Sequence, residues 1–139
     1  MTELVVMSFA FSRGEPPDAN LVFDMRFLRN PHWQDHLRPM SGLDAPVGVY
    51  ISGDPAYGEA LARIEAALLT LIPLYQADGK DMVRVAFGCT GGRHRSVHVA
   101  EYVAGRLRGA GFSPRLDHRD LAAPPRDVPS GPQGTADGC

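Results

Sequence analysis

The sequence predicts an α/β fold in which helices pack on a mostly parallel sheet of about four strands. Short apolar runs typical of buried strands alternate with stretches whose apolar residues recur at helical spacing. Segments rich in Gly, Pro, Asn and Asp separate these elements, as loops do. With 139 residues, 44% of them apolar and 22% charged, the chain has the size and composition of one globular domain.

Four strands are predicted from short runs that are rich in β-branched and aromatic residues. The first run is apolar except for Ser8, which indicates a strand buried on both faces of the sheet. The second ends in polar Asp24 and Arg26, at the edge of a parallel sheet where ligands bind. The predicted strands span residues 4–11, 21–23, 82–87 and 114–118.

Two helices are predicted between these strands. The first begins at Asp54 as N-cap with Pro55 in the first helical position, and ends near residues 77–79. The second covers residues 93–108 and ends at Gly109. No periodicity holds over residues 29–46, so we expect one long ordered loop there, and long loops inside compact domains are usually functional.

The chain divides into a domain at residues 1–121 and a tail at 122–139. The tail is rich in Pro, Gly, Ala, Ser and Asp, a composition that predicts disorder. The two cysteines, Cys89 and Cys139, form no disulfide framework. Neither a signal peptide nor a run of 18 apolar residues is recognisable, so we expect a cytoplasmic domain without a membrane span.

The most informative string is Gly-Cys-Thr-Gly-Gly-Arg-His-Arg-Ser at residues 88–96, between a buried strand and an amphipathic helix. Glycines let the backbone turn and direct several N–H groups inward. The following helix adds its unpaired amides and the positive end of its dipole. Basic residues at a helix N-terminus oppose the dipole, and an anion offsets that repulsion. The string therefore predicts a phosphate site.

Two familiar phosphate loops were compared with the sequence. A Walker A loop is absent, because Gly53 and Gly58 have its spacing but are followed by Glu59 and Ala60. Cys89 and Arg95 have the Cys-x5-Arg spacing of cysteine-dependent phosphatases, in which a thiolate attacks phosphorus and the Arg binds the phosphate. In that alternative, Asp24 or Asp44 would supply the general acid.

Metal and cofactor sites have less support. His32 and His36 are four residues apart, as are His94 and His98, a spacing that places two imidazoles on one helix face. Neither pair belongs to a His-Glu-x-x-His motif, and the chain has no Cys-x-x-Cys. We expect neither a metal nor a cofactor.

Four stretches of the chain occur together in a characteristic order. They are FDMRFLRNPHW at residues 23–33, LRPMSGLD at 37–44, GCTGGRHRSV at 88–97 and HRDL at 118–121. In these stretches, and over residues 4–121 as a whole, the chain resembles the C-terminal domain of the RapZ (YvcJ-type) RNase adapter family.

The resemblance implies a regulatory domain rather than an enzyme. Such domains sense glucosamine-6-phosphate and bind small RNAs and an endoribonuclease. They follow a P-loop nucleotide-binding domain, and we expect this domain to stand alone, with a separate P-loop protein as a candidate partner. The oligomeric state stays open. By matching motif, the phosphate would contact Thr90, Gly91, Gly92, His94, Arg95 and Ser96, and the sugar would contact Asp24, Arg26, Asn30 and His32.

The charge of the chain argues against one of these implied functions. The formal net charge is −2, and residues 119–139 hold two Arg against three Asp, whereas RNA-binding members end in a basic tail. Phosphate neutralisation dominates nucleic-acid affinity, so this tail does not supply it. RNA binding would depend on a patch formed by Arg93, Arg95, Arg106, Arg108 and Arg115.

Overall fold

The computed structural model of the protein describes residues 2–122. Four strands form one parallel sheet in the order β2-β3-β1-β4, which confirms the predicted fold class. The strands are β1 (Glu3–Ala10), β2 (Leu21–Asp24), β3 (Met82–Cys89) and β4 (Arg115–His118). The α-helices within the described residues are α1 (Ala45–Ser52), α2 (Tyr57–Ala77) and α3 (Arg95–Gly109).

The direction of the connections decides which face of the sheet each one covers. The connection from β1 runs past β3 to the edge strand β2, whereas both later connections run the opposite way. Parallel crossovers are right-handed, so the first connection must lie on the other face from the later two. It consists of residues 11–20 and contains only a 3₁₀ turn, and all three helices cover the other face.

The hydrophobic core is accordingly asymmetric. The larger cluster joins one face of the sheet to the helices and includes Val6, Phe87, Val103 and Leu107. On the opposite face, a smaller cluster of Val5, Met7, Phe9 and Ala86 packs against Phe11 and Ala19 of the connection. The smaller cluster confirms that β1 is buried on both faces.

The residues between 29 and 56 differ most from the sequence prediction. Part of the predicted loop forms a 3₁₀ helix at Pro31–Trp33, and α1 was not predicted at all. The predicted N-cap at Asp54 was wrong, since α2 begins at Tyr57. The Asp54 carboxylate instead accepts hydrogen bonds from the amides of Ala56 (2.8 Å) and Arg29 (2.8 Å), which fixes the turn that precedes α2.

Helix α2 has apolar side chains on its exposed side as well as in the core. Leu61, Leu68 and Ile72 lie in the core, while Leu69 and Leu74 are exposed. By length and composition alone, with a mean hydropathy of 1.2, this helix also meets the criteria for a membrane span. In the fold it packs on α3, to which Glu65 is joined by an ion pair with Arg106 at 2.8 Å. The predicted tail at 122–139 lies outside the described residues, apart from residue 122.

Candidate functional site

The neighbouring ends of β1 and β3 form the crevice of the sheet. Their outgoing connections lie on opposite faces, and ligands of parallel sheets bind where connections diverge in this way. β3 ends at Cys89 and α3 begins at Arg95, so the predicted glycine loop joins them at this point. The loop is fixed to the end of β1 because the amide and hydroxyl of Ser12 both donate to the carbonyl of Thr90 (3.2 and 2.7 Å).

The turn of the loop depends on Gly92. Its φ of +72° lies in the left-handed region, which only glycine adopts without strain. A Cβ there would also approach the Ala10 Cβ to 2.8 Å and the Asp120 Cβ to 3.2 Å. Within residues 2–122, the amides of Gly91, Gly92 and Arg93 have no hydrogen-bond acceptor. These amides and the N-terminus of the 15-residue helix α3 provide donors for an anion.

Arg95 connects the loop to the turn that follows β2. Its side chain is almost fully buried, and its Nη1 donates to the carbonyls of Arg26 (2.7 Å) and Leu28 (3.1 Å). Its Nε is buried without a partner among the described residues. Arg95 therefore positions the turn, and its charge also contributes to lowering the pKa of Asp24.

Asp24 and Arg26 form an exposed charged pair beside the loop. The guanidinium of Arg26 contacts the Asp24 carboxylate at 2.6 Å and lies 4.0 Å from the centre of the Phe11 ring. The hydrogen bond from Arg26 lowers the pKa of Asp24, so its carboxyl is ionised at neutral pH. The same bond raises the pKa of Arg26, and the nearby Cys89 adds to that shift. Asp24, Arg26, Cys89 and Arg95 thus lie together.

Cys89 lies beneath the loop rather than on its surface. Its side chain is fully buried, and its Sγ accepts a hydrogen bond from the Ser96 amide at 3.3 Å. The thiol in turn contacts the Ser96 hydroxyl at 3.2 Å. Ser96 is itself fully buried, so its hydroxyl faces the cysteine and supports the loop from below.

His94 faces away from solvent. Only 2% of it is exposed, and neither ring nitrogen has a hydrogen-bond partner within residues 2–122. Burial and, to a smaller extent, the charge of Arg93 lower the pKa of His94 to about 4. The carbonyls of residues 37, 38 and 40 oppose this shift, although none of them meets the geometry of a hydrogen bond. His94 is therefore neutral at pH 7 and packs against this segment.

The remaining predicted residues lie on the same long segment. The Asn30 side chain accepts a hydrogen bond from the His32 amide (3.0 Å) and so caps the 3₁₀ helix. The His32 ring meets the ring of Trp33 edge to face at 5.3 Å, and Trp33 is half exposed. Asn30 thus has a structural role, and its contact with the sugar stays a prediction.

Asp44 lines a separate cavity on the helical side of the sheet. The cavity has a volume of 440 Å³, and Cys89 is not among its lining residues. The Asp44 carboxylate accepts a hydrogen bond from the Ser41 amide at 2.9 Å. The cavity is lined by residues 42–45, 48, 49, 52, 57, 98 and 102.

No group of three or more potential metal ligands occurs in the part of the chain that the structure describes.

Two contributors to the loop were not predicted from the sequence. The Asp120 carboxylate accepts a hydrogen bond from the Ala10 amide at 2.7 Å and packs against Gly92. Gly42 fits so closely against α3 that a Cβ would overlap the backbone of His94 and His98. Both lie in motifs that the family resemblance had singled out, HRDL and LRPMSGLD, and that was the available signal.

The fold and this loop define a class: a parallel α/β domain with a glycine-rich loop between a central strand and a helix N-terminus. The family model of the RapZ C-terminal domain matches residues 2–122. The chain therefore belongs to the RapZ C-terminal domain family, as the motifs predicted. Family membership supports a regulatory domain.

Close relatives occur in several bacteria, and each carries the name nucleotide-binding protein. The chain is 65% identical over 120 residues to one from Rhizorhabdus wittichii, covering 86% of this chain and 38% of that protein. It is 57% identical to one from Sphingopyxis alaskensis (89% and 39%) and 58% identical to one from Novosphingobium aromaticivorans (96% and 44%). The chain thus spans about two fifths of the length of these relatives.

Proposed function

We propose that this domain is a regulatory sensor that binds a phosphorylated amino sugar of the glucosamine-6-phosphate type without turning it over. The loop at residues 90–93 carries the proposal, because three consecutive amides without an acceptor lie at the N-terminus of a long helix. Such amides bind phosphate through hydrogen bonds and the helix dipole. Thr90, Gly91 and Gly92 would surround the phosphate directly, and Arg95, which is almost fully buried, would add its charge from beneath the loop. His94 and Ser96, which are buried, would act from behind the loop.

The exposed pair beside the loop suits an amino sugar in particular. The Asp24 carboxylate is ionised and half exposed, so it offers a partner for the ammonium group. The guanidinium of Arg26 adds positive charge on the phosphate side. Asn30 and His32 continue the same surface. The name of the relatives describes nucleotide binding, and this chain lacks a Walker A loop that would support it here.

The test is calorimetric titration of the full chain with glucosamine-6-phosphate, inorganic phosphate and glucosamine. We expect the sugar phosphate to bind more tightly than either fragment, and Arg26→Ala to weaken its binding about tenfold. Arg63→Ala is the matched control, because Arg63 also forms an exposed ion pair, with Glu59 on α2. If none of the three compounds binds the wild type, the sensor proposal is wrong.

A second candidate is a cysteine-dependent phosphatase. The hydrogen bond that the Ser96 amide donates to the Cys89 Sγ favours it, because such a donor stabilises a thiolate. The complete burial of Cys89 argues against it, since a nucleophile must reach the phosphorus. It predicts hydrolysis of p-nitrophenyl phosphate that disappears in Cys89→Ser. Absence of hydrolysis by the wild type would leave the sensor as the better reading.

A third candidate is an adaptor for RNA, an endoribonuclease or a separate P-loop protein. All five arginines named for an RNA surface have other partners. Arg93 donates to the carbonyls of Pro39 and Met40, both at 3.3 Å. Arg95 is buried in the domain, Arg106 pairs with Glu65, Arg115 pairs with Glu3, and Arg108 donates to the carbonyl of Pro114. Phosphate contacts need accessible positive charge. RNA binding that weakens steeply with salt would support this candidate.

A further inference from the structure

The turn after β2 exposes an aromatic side chain between two buried ones. Met25 and Leu28 are 0% and 3% exposed, whereas Phe27 is 53% exposed. The Leu28 amide donates to the Met25 carbonyl at 3.3 Å and closes the turn. The backbone of Phe27 is therefore fixed by core residues on both sides, and its phenyl ring is left on the surface.

This turn is also held at three points by the residues of β3 and α3 that flank the candidate loop. The Met25 amide donates to the carbonyl of Gly88 at 2.8 Å, immediately before the loop begins. Arg95, the first residue of α3, donates to the carbonyls of residues 26 and 28, which flank Phe27. The exposed ring thus belongs to a rigid turn that borders the donors proposed to bind phosphate.

We propose that Phe27 is an apolar platform of this site and selects phosphates that carry a sugar ring over inorganic phosphate. The inference rests on the proposed function and names the part of the ligand that the loop cannot recognise. Loop amides contact only the phosphate oxygens, so they do not recognise the rest of a phosphorylated compound. One face of a hexose ring consists largely of C–H groups, and an aromatic ring that is already ordered packs against such a face.

The experiment uses the full chain and its variants Phe27→Ala and Phe27→Tyr, titrated calorimetrically with glucosamine-6-phosphate, inorganic phosphate and AMP. We expect Phe27→Ala to weaken binding of the sugar phosphate about tenfold and to leave that of inorganic phosphate unchanged. Phe27→Tyr retains the ring and should retain the affinity. Leu74→Ala is the control, because Leu74 is also an exposed apolar residue, 60% exposed. It lies near the end of α2 that leads into β3, and so near the end of that strand opposite to the candidate loop.

The outcomes separate this inference from the proposed function. If the wild type binds neither glucosamine-6-phosphate nor inorganic phosphate, the proposed sensor function itself is wrong. If it binds glucosamine-6-phosphate and Phe27→Ala binds equally well, only the platform is wrong. If Phe27→Ala loses affinity equally for glucosamine-6-phosphate and inorganic phosphate, the substitution disturbs the turn, and the selective role of Phe27 is wrong. If Phe27→Ala loses affinity only for AMP, the Phe27 ring packs against a nucleobase instead of a sugar, and the platform proposal is wrong.

Discussion

At the scale of single residues, the loop depends on a glycine that has both a left-handed backbone and close neighbours. Gly92 and Gly79 have similar φ values, +72° and +82°, but only Gly92 has atoms within 4 Å of the place of a Cβ. We therefore expect Gly79→Ala to lower the free energy of unfolding by about 1 kcal/mol, the cost of holding alanine in a left-handed backbone conformation. Gly92→Ala should lower it by at least about 2 kcal/mol more, because its Cβ also meets neighbouring atoms. Urea denaturation measures both, and equal losses would contradict the tight contact.

His94 gives the domain a pH-dependent stability. Its pKa is about 4 in the fold and near 6.5 when unfolded, so the unfolded chain takes up the proton first as the pH falls. The free energy of unfolding is then complete above about pH 6.5 and decreases towards pH 4, by about 2 kcal/mol at pH 5. Burial lowers the pKa of His98 as well, which acts in the same direction.

Urea denaturation at about pH 7.5 and pH 5 tests this dependence. In His94→Gln the difference between the two pH values should become smaller, because the buried group that titrates has been removed. His36→Gln is the control, since His36 is exposed. A difference that is unchanged in His94→Gln would show that another group is responsible.

At the scale of elements, one histidine joins two strands and a helix. The Nδ1 of His118 on β4 lies 2.6 Å from the Ser8 hydroxyl on β1, and its Nε2 lies 2.7 Å from the Glu101 carboxylate on α3. Ser8 is fully buried, so His118→Phe would leave its hydroxyl without a partner and should cost about 2 kcal/mol. Adding Ser8→Ala should restore part of that loss. A double variant less stable than His118→Phe would contradict this account.

The elements differ in how far the sequence predicts them. β1 and β3 are short and mostly apolar runs, and that composition is sufficient to predict them because both strands are buried in the sheet. The helix α1 escaped prediction because Ala-Pro-Val-Gly-Val-Tyr-Ile-Ser contains poor helix formers and only two buried residues, Val47 and Ile51. Its position is decided by contacts with α2 and α3, which no local pattern encodes.

The candidate site was predictable in the same uneven way. The glycine loop is contiguous, so its composition alone indicates its place between strand and helix. The contacts that shape it are not contiguous: Asp120 binds the amide of Ala10, 110 residues earlier in the chain. The burial of His94 and Cys89 also follows from packing, and the sequence predicted only that both lie in the loop.

At the scale of the whole molecule, the described residues hold two complete clusters of buried apolar side chains. We therefore expect a chain that ends at residue 122 to melt within about 2 °C of the full chain. A chain that ends at residue 117 loses His118 and Asp120, which bind β1, and should melt at least about 5 °C lower. Calorimetric scans compare the three. Equal destabilisation by both truncations would show that residues 123–139 contribute to the core.

The strand order also has a consequence for the folding pathway. β1 precedes both of the strands that pair with it, β3 and β4, and no strand nearer to it in the described part of the chain pairs with it. During synthesis, its backbone has no strand partner among the described residues until the chain has grown beyond Cys89, and its second edge stays open until His118 has emerged. Pairing across so many residues makes folding slow and exposes an aggregation-prone strand in the nascent chain.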